Sequence, residues 1–591
     1  MWQQISQFIS TLLLLILQVI QKTSGTYTTT ALPLWTWECV NDRCVPTQAS
    51  TPDRLQSLLM CNMLCASMQL WPQPTGAVSL STTAVPVRAD LFQLQIVSVP
   101  SKAVHEHLQE AFHLLRQDLH HLERNAVAFA EWRAVAVHVT VNGSGDPRMR
   151  LNTDESYQLV MYPKFAQGGP LIVKITAKSY CGARHALETL HQLVWLDPYI
   201  GTLFMLEAAN VEDAPRFGYR GLLLDTARNY FPMSELFRTI DAMAATKLNT
   251  FHWHISDSQA FPLKLSSVPQ LAVYGAFGTG AMYTTEDVRK LVHRARIRGI
   301  RVLIEVDTPA HVGCAWNWGP SLGFGELVKC AETDAWQDIC REPPCGQLNP
   351  RNVHVFNILE AIYAEIIHLT GVDDLFHMGG DDVFPSCWAK HFPTFNPAQL
   401  LIDFTLGALE RLEIANGKLP NLTLFWSPWL NENIKTDLKE YSGHLGLQTR
   451  NSELVASYSK FLSGIRTVIS HSDPWNLNSG MGDWFEENMA PYNSWQKIYE
   501  HRPWARGSSK SDVVGGEVTV WSSTLSAGGL DARLWPRAAA FAERLWSDRP
   551  EGATRPVHVR LDVHRGRLVA RGIRAAPIWS MWCSHHTYTC G

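Results

Sequence analysis

The stretch VDDLFHMGGDDV, residues 372–383, decides the fold that the sequence predicts. Leu375 and Phe376 are typical of the end of a buried strand, and the two glycines that follow permit a tight turn. Asp381 and Asp382 then stand where the chain leaves the sheet. Adjacent carboxylates suit general acid and base catalysis, because like charges and burial separate their pKa values. The alternative is an Asp-rich loop whose second aspartate caps the next helix.

Strands and helices alternate on both sides of this stretch. From Gly218 onward eight short apolar segments follow one another, and most precede an amphipathic helix. This count predicts an α/β fold, a (β/α)8 TIM barrel over residues 215–575, with its active site at the C-terminal ends of the strands. Besides the opening stretch, the predicted strands are 221–225, 249–255, 301–306, 422–426, 445–448, 465–469 and 513–518, and the predicted helices are 233–246, 285–298, 356–368, 397–416 and 534–546.

Ahead of the barrel the sequence predicts a smaller supporting domain and a cap. Residues 88–214 have an α+β pattern, with strands at 91–97, 135–141, 157–161 and 171–177 and helices at 104–129 and 183–194. Residues 72–87, rich in Pro, Ser and Thr, predict a linker. Residues 26–75 form a cysteine-rich N-terminal cap, and residues 576–591 form a disulfide-closed C-terminal tail.

The first residues predict export from the cytosol. An apolar run from Phe8 to Ile20 is too short to span a bilayer and fits the core of a signal peptide over residues 1–25. No Lys or Arg precedes the run, so a retained anchor is the alternative, and only then would the chain be held at a membrane. The formal net charge of −4, with dispersed basic residues, argues against nucleic acid as a partner.

Twelve cysteines fit an oxidising compartment and favour a secreted, extracellular or lysosomal protein. The close groups lack a paired C-x-x-C pattern, so disulfides are favoured over a zinc site. Asn142 and Asn421 begin N-x-S/T motifs and are candidate glycosylation sites. The candidate disulfide cysteines are Cys39, Cys44, Cys61, Cys65, Cys330, Cys340, Cys345, Cys387, Cys583 and Cys590.

Polar residues follow the first four predicted strands and indicate one site. They are Asp225, Arg228, Asp257, Asp307, His311, His377, Asp381 and Asp382. One interpretation is a metal centre like that of barrel amidohydrolases, in which His252 and His254 join His311, His377 and Asp381. Buried core histidines would explain His252 and His254 equally well. The competing interpretation is glycoside hydrolysis by paired carboxylates in a Trp-lined pocket.

Five segments, in order, resemble the barrel of the β-N-acetylhexosaminidases, glycoside hydrolase family 20. They are FGYRGLLLDTARNYFP (217–232), NTFHWH (249–254) with Asp257, VDTPAH (306–311), HMGGDD (377–382) and the closing segment 533–546. The resemblance covers about residues 88–591. The cap between Cys39 and Cys65 and the loop between Cys340 and Cys345 resemble the arthropod branch, and within it the fused-lobes type that trims N-glycans.

In that family the substrate supplies the nucleophile, the carbonyl oxygen of its own 2-acetamido group. The resemblance implies that Asp381 holds this group and that the general acid falls on Asp382. It implies glycans ending in N-acetylglucosamine or N-acetylgalactosamine as substrates, a homodimer, and neither metal nor cofactor. Further implied roles are sugar binding by Arg228, Trp426, Trp484, Trp521 and Asn476, and a supporting network of Asp257, His311 and His377.

Four positions depart from the family pattern. Asp382 replaces a Glu and withdraws the acid by about 1 Å, a displacement that can cost roughly 100-fold in rate. Arg450 stands where a Trp wall is usual, Asn476 where a Tyr holds the acetamido oxygen, and Ser523 where a Glu binds hydroxyls. Two hypotheses follow: a hexosaminidase with reduced or altered activity, or an inactive hexosaminidase-like protein that binds glycans or an extracellular partner.

Overall fold

The computed structural model describes residues 35–49, 55–65, 69–123, 131–164, 169–331, 336–426, 438–451, 465–482, 491–505, 512–549, 557–586 and 590. The predicted signal peptide lies outside these residues. The chain divides into two compact units, residues 1–67 and residues 68–591. None of the helices in the described ranges is long and apolar enough to cross a membrane.

The first unit is a hairpin stapled to a short helix. Its elements are β1 (Trp35–Val40), β2 (Arg43–Gln48) and the helix Leu58–Leu64. The antiparallel register places Cys39 opposite Cys44, and disulfides join Cys39 to Cys65 and Cys44 to Cys61. All four thiols are therefore consumed and none remains for zinc. Small units with little apolar surface rely on such cross-links, and the predicted stapled cap is confirmed.

The supporting domain is an eight-stranded mixed sheet with two helices packed on it. The prediction of a linker at residues 72–87 is wrong, because this segment contains β3 and the start of β4, whose residues Ala84–Pro86 pair with β9. The alternation of apolar side chains such as Val85 and Val87 favours a strand here, despite the Pro, Ser and Thr content that predicted a linker. The elements are β3 (Val78–Leu80), β4 (Ala84–Ser98), Lys102–Leu122, β5 (Arg133–Val141), β6 (Tyr157–Pro163), β7 (Leu171–Ala177), Tyr180–Gln192, β8 (Val194–Asp197), β9 (Thr202–Leu206) and β10 (Ala209–Asp213).

The second sheet is the barrel. Its strands are β11 (Tyr219–Asp225), β12 (Thr250–Ser256), β15 (Arg301–Val306), β18 (Leu375–His377), β19 (Leu422–Trp426), β20 (Leu445–Thr449), β21 (Arg466–Ile469) and β22 (Val513–Val520). They run parallel in the order β15-β12-β11-β22-β21-β20-β19-β18, and a bridge between Thr308 and Gly379 brings the two edges together. The predicted (β/α)8 architecture is confirmed. Two short ribbons lie in the loops, β13 (Leu263–Lys264) with β14 (Tyr283–Thr284), and β16 (Val328–Lys329) with β17 (Gln347–Leu348).

Local capping chemistry sets the ends of the barrel helices. Asn352 caps the helix Val353–Thr370, which ends at Gly371 with φ of 67°. The closing helix predicted over 534–546 is present but begins three residues later, at Arg537, because Pro536, which has no N–H to donate, separates it from the short helix Leu530–Leu534. The other helices of this unit are Met233–Ala245, Gln270–Gly275, Thr285–Ile297, Pro385–His391, Pro397–Asn416, Ser472–Trp475, Trp495–Glu500, Leu530–Leu534, Arg537–Ser547, Val557–Ala570 and Met581–His585.

Buried ion pairs join the supporting domain to the N-terminal end of the barrel. Arg220 Nη1 at the start of β11 donates to Glu155 Oε1 at 2.9 Å. Lys247 Nζ lies 3.0 Å from Asp213 Oδ2, at the end of β10. Both cations also lie over the ring of Trp546, at 4.8 and 4.5 Å from its centroid. Each buried charge would be costly without its partner in the other domain, so these ion pairs fix the position of the supporting domain on the barrel.

Three further disulfides cross-link the second unit. They join Cys330 to Cys387, Cys340 to Cys345 and Cys583 to Cys590. With the two in the cap they are consistent with the oxidising compartment predicted from the sequence. The side chains of Asn142 and Asn421 are exposed, as glycosylation requires, and their modification stays a prediction.

Candidate active site

The polar residues that follow the first four strands converge at the C-terminal end of the barrel. Asp257 is the centre of the group. Its Oδ2 lies 2.9 Å from Arg228 Nη1 and 2.8 Å from His254 Nε2, and its Oδ1 lies 2.8 Å from His311 Nδ1. Burial alone would raise the pKa of Asp257, but the charges of Arg228 and His311 hold it well below its usual value.

Asp382 continues this line of alternating charge. Its Oδ2 lies 3.6 Å from His311 Nε2, and its side chain is 30% exposed. Burial of the His311 ring is outweighed by Asp257, so the pKa of His311 is well above its usual value. Against the effect of its own burial, the neighbouring His311 ring lowers the pKa of Asp382. Asp382 is therefore an ionised carboxylate beside a charged imidazole.

The turn before these acids depends on the glycines of the opening stretch. Gly379 and Gly380 have φ of 75° and 90°, a region that residues with a Cβ rarely adopt. A Cβ on Gly379 would lie 2.2 Å from Asp307 Oδ1. That oxygen accepts hydrogen bonds from the N–H groups of Gly380 and Asp381, at 2.8 and 3.4 Å. Asp307 thus fixes the backbone that carries both acids.

Asp381 is held by Arg450, which follows β20. An Nη atom of Arg450 forms an ion pair with Asp381 Oδ2, while Asp381 Oδ1 is buried without a hydrogen-bond partner. Arg450 Cζ lies 4.4 Å from the ring centroid of Trp426 and 4.9 Å from that of Trp521. Trp426 is 0% exposed. The predicted aromatic wall is therefore present but covered by a cation.

A buried layer of His and Glu residues supports the site from below. Glu305 lies between His254, at 3.0 Å, His252, at 2.8 Å, and His377, at 3.3 Å, and it also accepts from Trp426 Nε1 at 2.7 Å. Glu517 lies 2.9 Å from the other nitrogen of His252. Carboxylates thus face both ring nitrogens of His252 and of His254. These contacts favour ion pairs between His252, His254 and the carboxylates, although His252, Glu305 and His377 also lie close enough together to hold a metal ion.

This layer makes the stability of the fold depend on pH. Burial would lower the pKa of both imidazoles, but Glu517 and Glu305 raise that of His252 to about 9, and Glu305 and Asp257 raise that of His254 to about 10. Each folded-state pKa exceeds the unfolded value of 6.5, so the stabilisation is complete below pH 6.5 and is lost as pH rises through 9 and 10. We expect the thermal midpoint to fall over that interval, as measured by scanning calorimetry in buffers of matched ionic strength.

A matched control is His293→Gln, which removes an exposed histidine paired with Glu110. This variant should keep the same pH profile. A thermal midpoint that stays constant or rises between about pH 6.5 and pH 10 would contradict the assignment of charged imidazoles.

The structure places the predicted site residues at different depths. Arg228, Asp257, His311, Asp381 and Asp382 meet at the strand ends, as the sequence predicted. Trp521 lines the site beside Arg228 and Arg450, whereas His377 lies in the buried layer and contacts Glu305. The Oδ1 atom of Asn476 accepts a hydrogen bond from the N–H of Asn478 at 2.9 Å. Trp484 lies outside the described residues.

Three functional carboxylates were missed from the sequence. Glu305 and Glu517 are charged residues inside otherwise apolar strands, and that contrast was the signal that could have found them. Glu342 forms an ion pair with Arg228 Nε from the loop closed by the Cys340–Cys345 disulfide. Sequence spacing gives no cue to this contact, because the two residues are 114 positions apart.

The chain matches known proteins in sequence. Residues 217–549 match the model of the glycosyl hydrolase family 20 catalytic domain, and residues 70–193 match a beta-acetyl hexosaminidase like domain. The chain is 37% identical to "Probable beta-hexosaminidase fdl" of Drosophila melanogaster, over 94% of this chain and 91% of that protein. It is 34% identical to the chitooligosaccharidolytic beta-N-acetylglucosaminidase of Ostrinia furnacalis, over the full length of both.

Solved structures share the fold. A chitobiase from Flavobacterium johnsoniae superposes with a TM-score of 0.66 and 24% identity, covering 86% of this chain and 73% of the other. An exo beta-N-acetylglucosaminidase from Vibrio harveyi gives a TM-score of 0.66 at 20% identity, covering 92% and 84%. At these identities the likeness supports the architecture alone.

Proposed function

We propose that this chain, which belongs to glycosyl hydrolase family 20, removes terminal N-acetylhexosamine from the non-reducing ends of glycans, with Asp381 and Asp382 as its catalytic pair. It is a glycoside hydrolase of the β-N-acetylhexosaminidase type. The observation that carries the residue assignment is the continuous line Arg228, Asp257, His311 and Asp382 beside Asp381 at the strand ends. Such an arrangement can place a proton donor and a second carboxylate against the same bound sugar.

In the proposed mechanism the nucleophile is the carbonyl oxygen of the substrate's own 2-acetamido group. Asp381 accepts a hydrogen bond from the 2-acetamido N–H, which strengthens the carbonyl oxygen as a nucleophile. That oxygen bonds to C1 while the bond from C1 to the leaving oxygen breaks, and a five-membered cationic ring forms. Asp382 delivers a proton to the leaving oxygen and afterwards takes one from the water that opens the ring. The configuration at C1 is retained.

Proton delivery is the weak step in this chain. Asp382 has one methylene less than the family's Glu, and its pKa is lowered beside His311. It must therefore gain a proton before it can act as an acid, and the charged His311 ring, 3.6 Å away, opposes that protonation. A short and ionised acid reduces turnover, because proton transfer needs both reach and a matched pKa.

A second candidate function is sugar or partner binding without useful turnover. The observation that favours it is the ion pair between Arg450 and Asp381, together with the complete burial of Trp426. Both groups are occupied by the protein's own side chain. A chain of this kind would act as an inactive hexosaminidase-like protein at the cell exterior.

Turnover of an aryl β-N-acetylglucosaminide by the purified full chain separates the two functions. We expect slow but measurable release of the phenol. Asp381→Asn should abolish it, because a neutral amide cannot stabilise the positive charge that develops on the acetamido group in the transition state. Wild-type rates equal to those of Asp381→Asn would reject catalysis in favour of the binding role. Unchanged rates in the presence of a chelator are expected, and loss of activity would revive the metal-dependent alternative.

Several finer properties belong to the proposal. N-acetylglucosamine- or N-acetylgalactosamine-terminated N-glycans, chitin fragments and glycolipids are the candidate substrates, and the insect relatives support the arthropod branch. Secretion or lysosomal delivery through residues 1–25, glycosylation at Asn142 and Asn421, and a homodimer complete it.

A further inference from the structure

The side chain of Arg450 fills the slot between two indole rings and the carboxylate that should receive the substrate. Its guanidinium lies over both Trp426 and Trp521, whose ring centroids are 6.0 Å apart, and pairs with Asp381. The Nε1 atom of Trp426 donates to the buried Glu305 at 2.7 Å, which holds this ring in place. Trp426 is therefore a fixed wall of the slot, and Arg450 closes it.

The guanidinium has the features of the reaction's own intermediate. Both are planar, both carry one positive charge, and both would lie flat on indole rings with a carboxylate at the edge. We propose that Arg450 is an internal ligand of the acetamido pocket, so that an N-acetylhexosamine enters only after this side chain has left. The inference rests on the proposed function for the identity of the pocket.

Leaving the pocket requires a rotation of the side chain alone. The backbone of Arg450 is anchored at the end of β20, where its carbonyl oxygen accepts a hydrogen bond from the N–H of Ser472 at 2.9 Å. The side chain is 29% exposed, so part of its path already faces solvent. A sugar must break the ion pair and two cation–π contacts, and this competition should weaken its affinity by about 10-fold or more.

Arg450 thereby determines what the site accepts. In the closed arrangement Asp381 is neutralised and cannot orient an acetamido N–H. In the open arrangement Asp381 and the face of Trp426 become available together. Removal of the guanidinium should convert the pocket to the open arrangement permanently and raise its affinity for a neutral acetamido sugar.

The test is calorimetric binding of a thio-linked chitobiose, which the enzyme cannot hydrolyse, to the full chain. Arg450→Ala should bind at least about 10-fold more tightly than the wild type, and Arg450→Lys should lie between them, since it keeps a charge but cannot stack as a planar group. Arg289→Ala, on the exposed face of the helix Thr285–Ile297, is the matched control and should bind as the wild type does.

Equal or weaker binding by both Arg450 variants, each shown to be folded by its thermal transition, overturns the inference. Arg450→Lys keeps a cation for the buried Asp381 and so protects the test from a misfolded Arg450→Ala. Binding and turnover are measured separately, so failure of this inference can be told apart from failure of the proposed catalysis. Tighter binding without turnover in any variant would support the internal ligand while rejecting catalysis.

Discussion

Turnover of an aryl β-N-acetylglucosaminide is expected to rise by about 100-fold or more when Asp382→Glu and Arg450→Trp are combined in one chain. The first change returns the methylene that brings the acid within reach of the leaving oxygen. The second removes the cation from Asp381 and restores an aromatic wall beside Trp426. Both obstacles act on the same transition state, so neither change alone should recover the full effect. The kcat and KM of the four proteins give the measurement.

The single variants make this prediction specific. Asp382→Glu alone should raise kcat modestly, because Arg450 still neutralises Asp381. Arg450→Trp alone should lower KM more than it raises kcat, because the acid stays short. If Asp382→Glu alone gave the whole increase, Arg450 would not obstruct the pocket. A double variant no faster than wild type would instead assign the loss to Asn476 and Ser523.

Glu305→Gln is expected to lower the free energy of unfolding by about 3–5 kcal/mol. Glu305 is fully buried among His252, His254 and His377, and its neutralisation leaves positive charge there without compensation. Denaturant unfolding followed by tryptophan fluorescence at about pH 6, where His252 and His254 are charged because their pKa values are raised, is the measurement.

Glu286→Gln is the matched control for that variant. Glu286 pairs with Arg289 and Lys290 on an exposed helix face, where such contacts contribute about 0–1 kcal/mol. Its loss should change stability by no more than about 0.5 kcal/mol. A change below about 1 kcal/mol for Glu305→Gln would show that the buried histidines are neutral in the folded protein.

The fold could be predicted from the sequence because its signals are local. Each barrel strand is a short apolar run, each helix has its own cap, and parallel strands bring their ends to one side, so the meeting of Asp257, His311 and Asp381 followed from topology. The strand pairing of residues 84–86 and the start of the closing helix after Pro536 could not be predicted, because composition and periodicity are averaged over a window and do not reveal a single pairing or turn.

Side-chain direction and long-range contacts could not be predicted. Arg450 was recognised as a departure, but the sequence does not reveal that its side chain turns inward onto Asp381 instead of toward solvent. Glu342 reaches Arg228 from a disulfide-closed loop. Glu305 and Glu517 face the barrel interior, and their partners are contributed by other strands. Such contacts depend on packing among segments far apart in sequence.

The ion pairs of Arg220 with Glu155 and of Lys247 with Asp213 bear on how this protein could be divided or exchanged between chains. A barrel excised at residue 215 would keep Arg220 and Lys247 but lose both carboxylates and the domain that buries these side chains, so the two cations and the Trp546 ring that they cover would face solvent. The barrel is therefore not an independent unit: gene fusions, truncations or swaps that separate it from residues 69–214 must redesign this newly exposed surface.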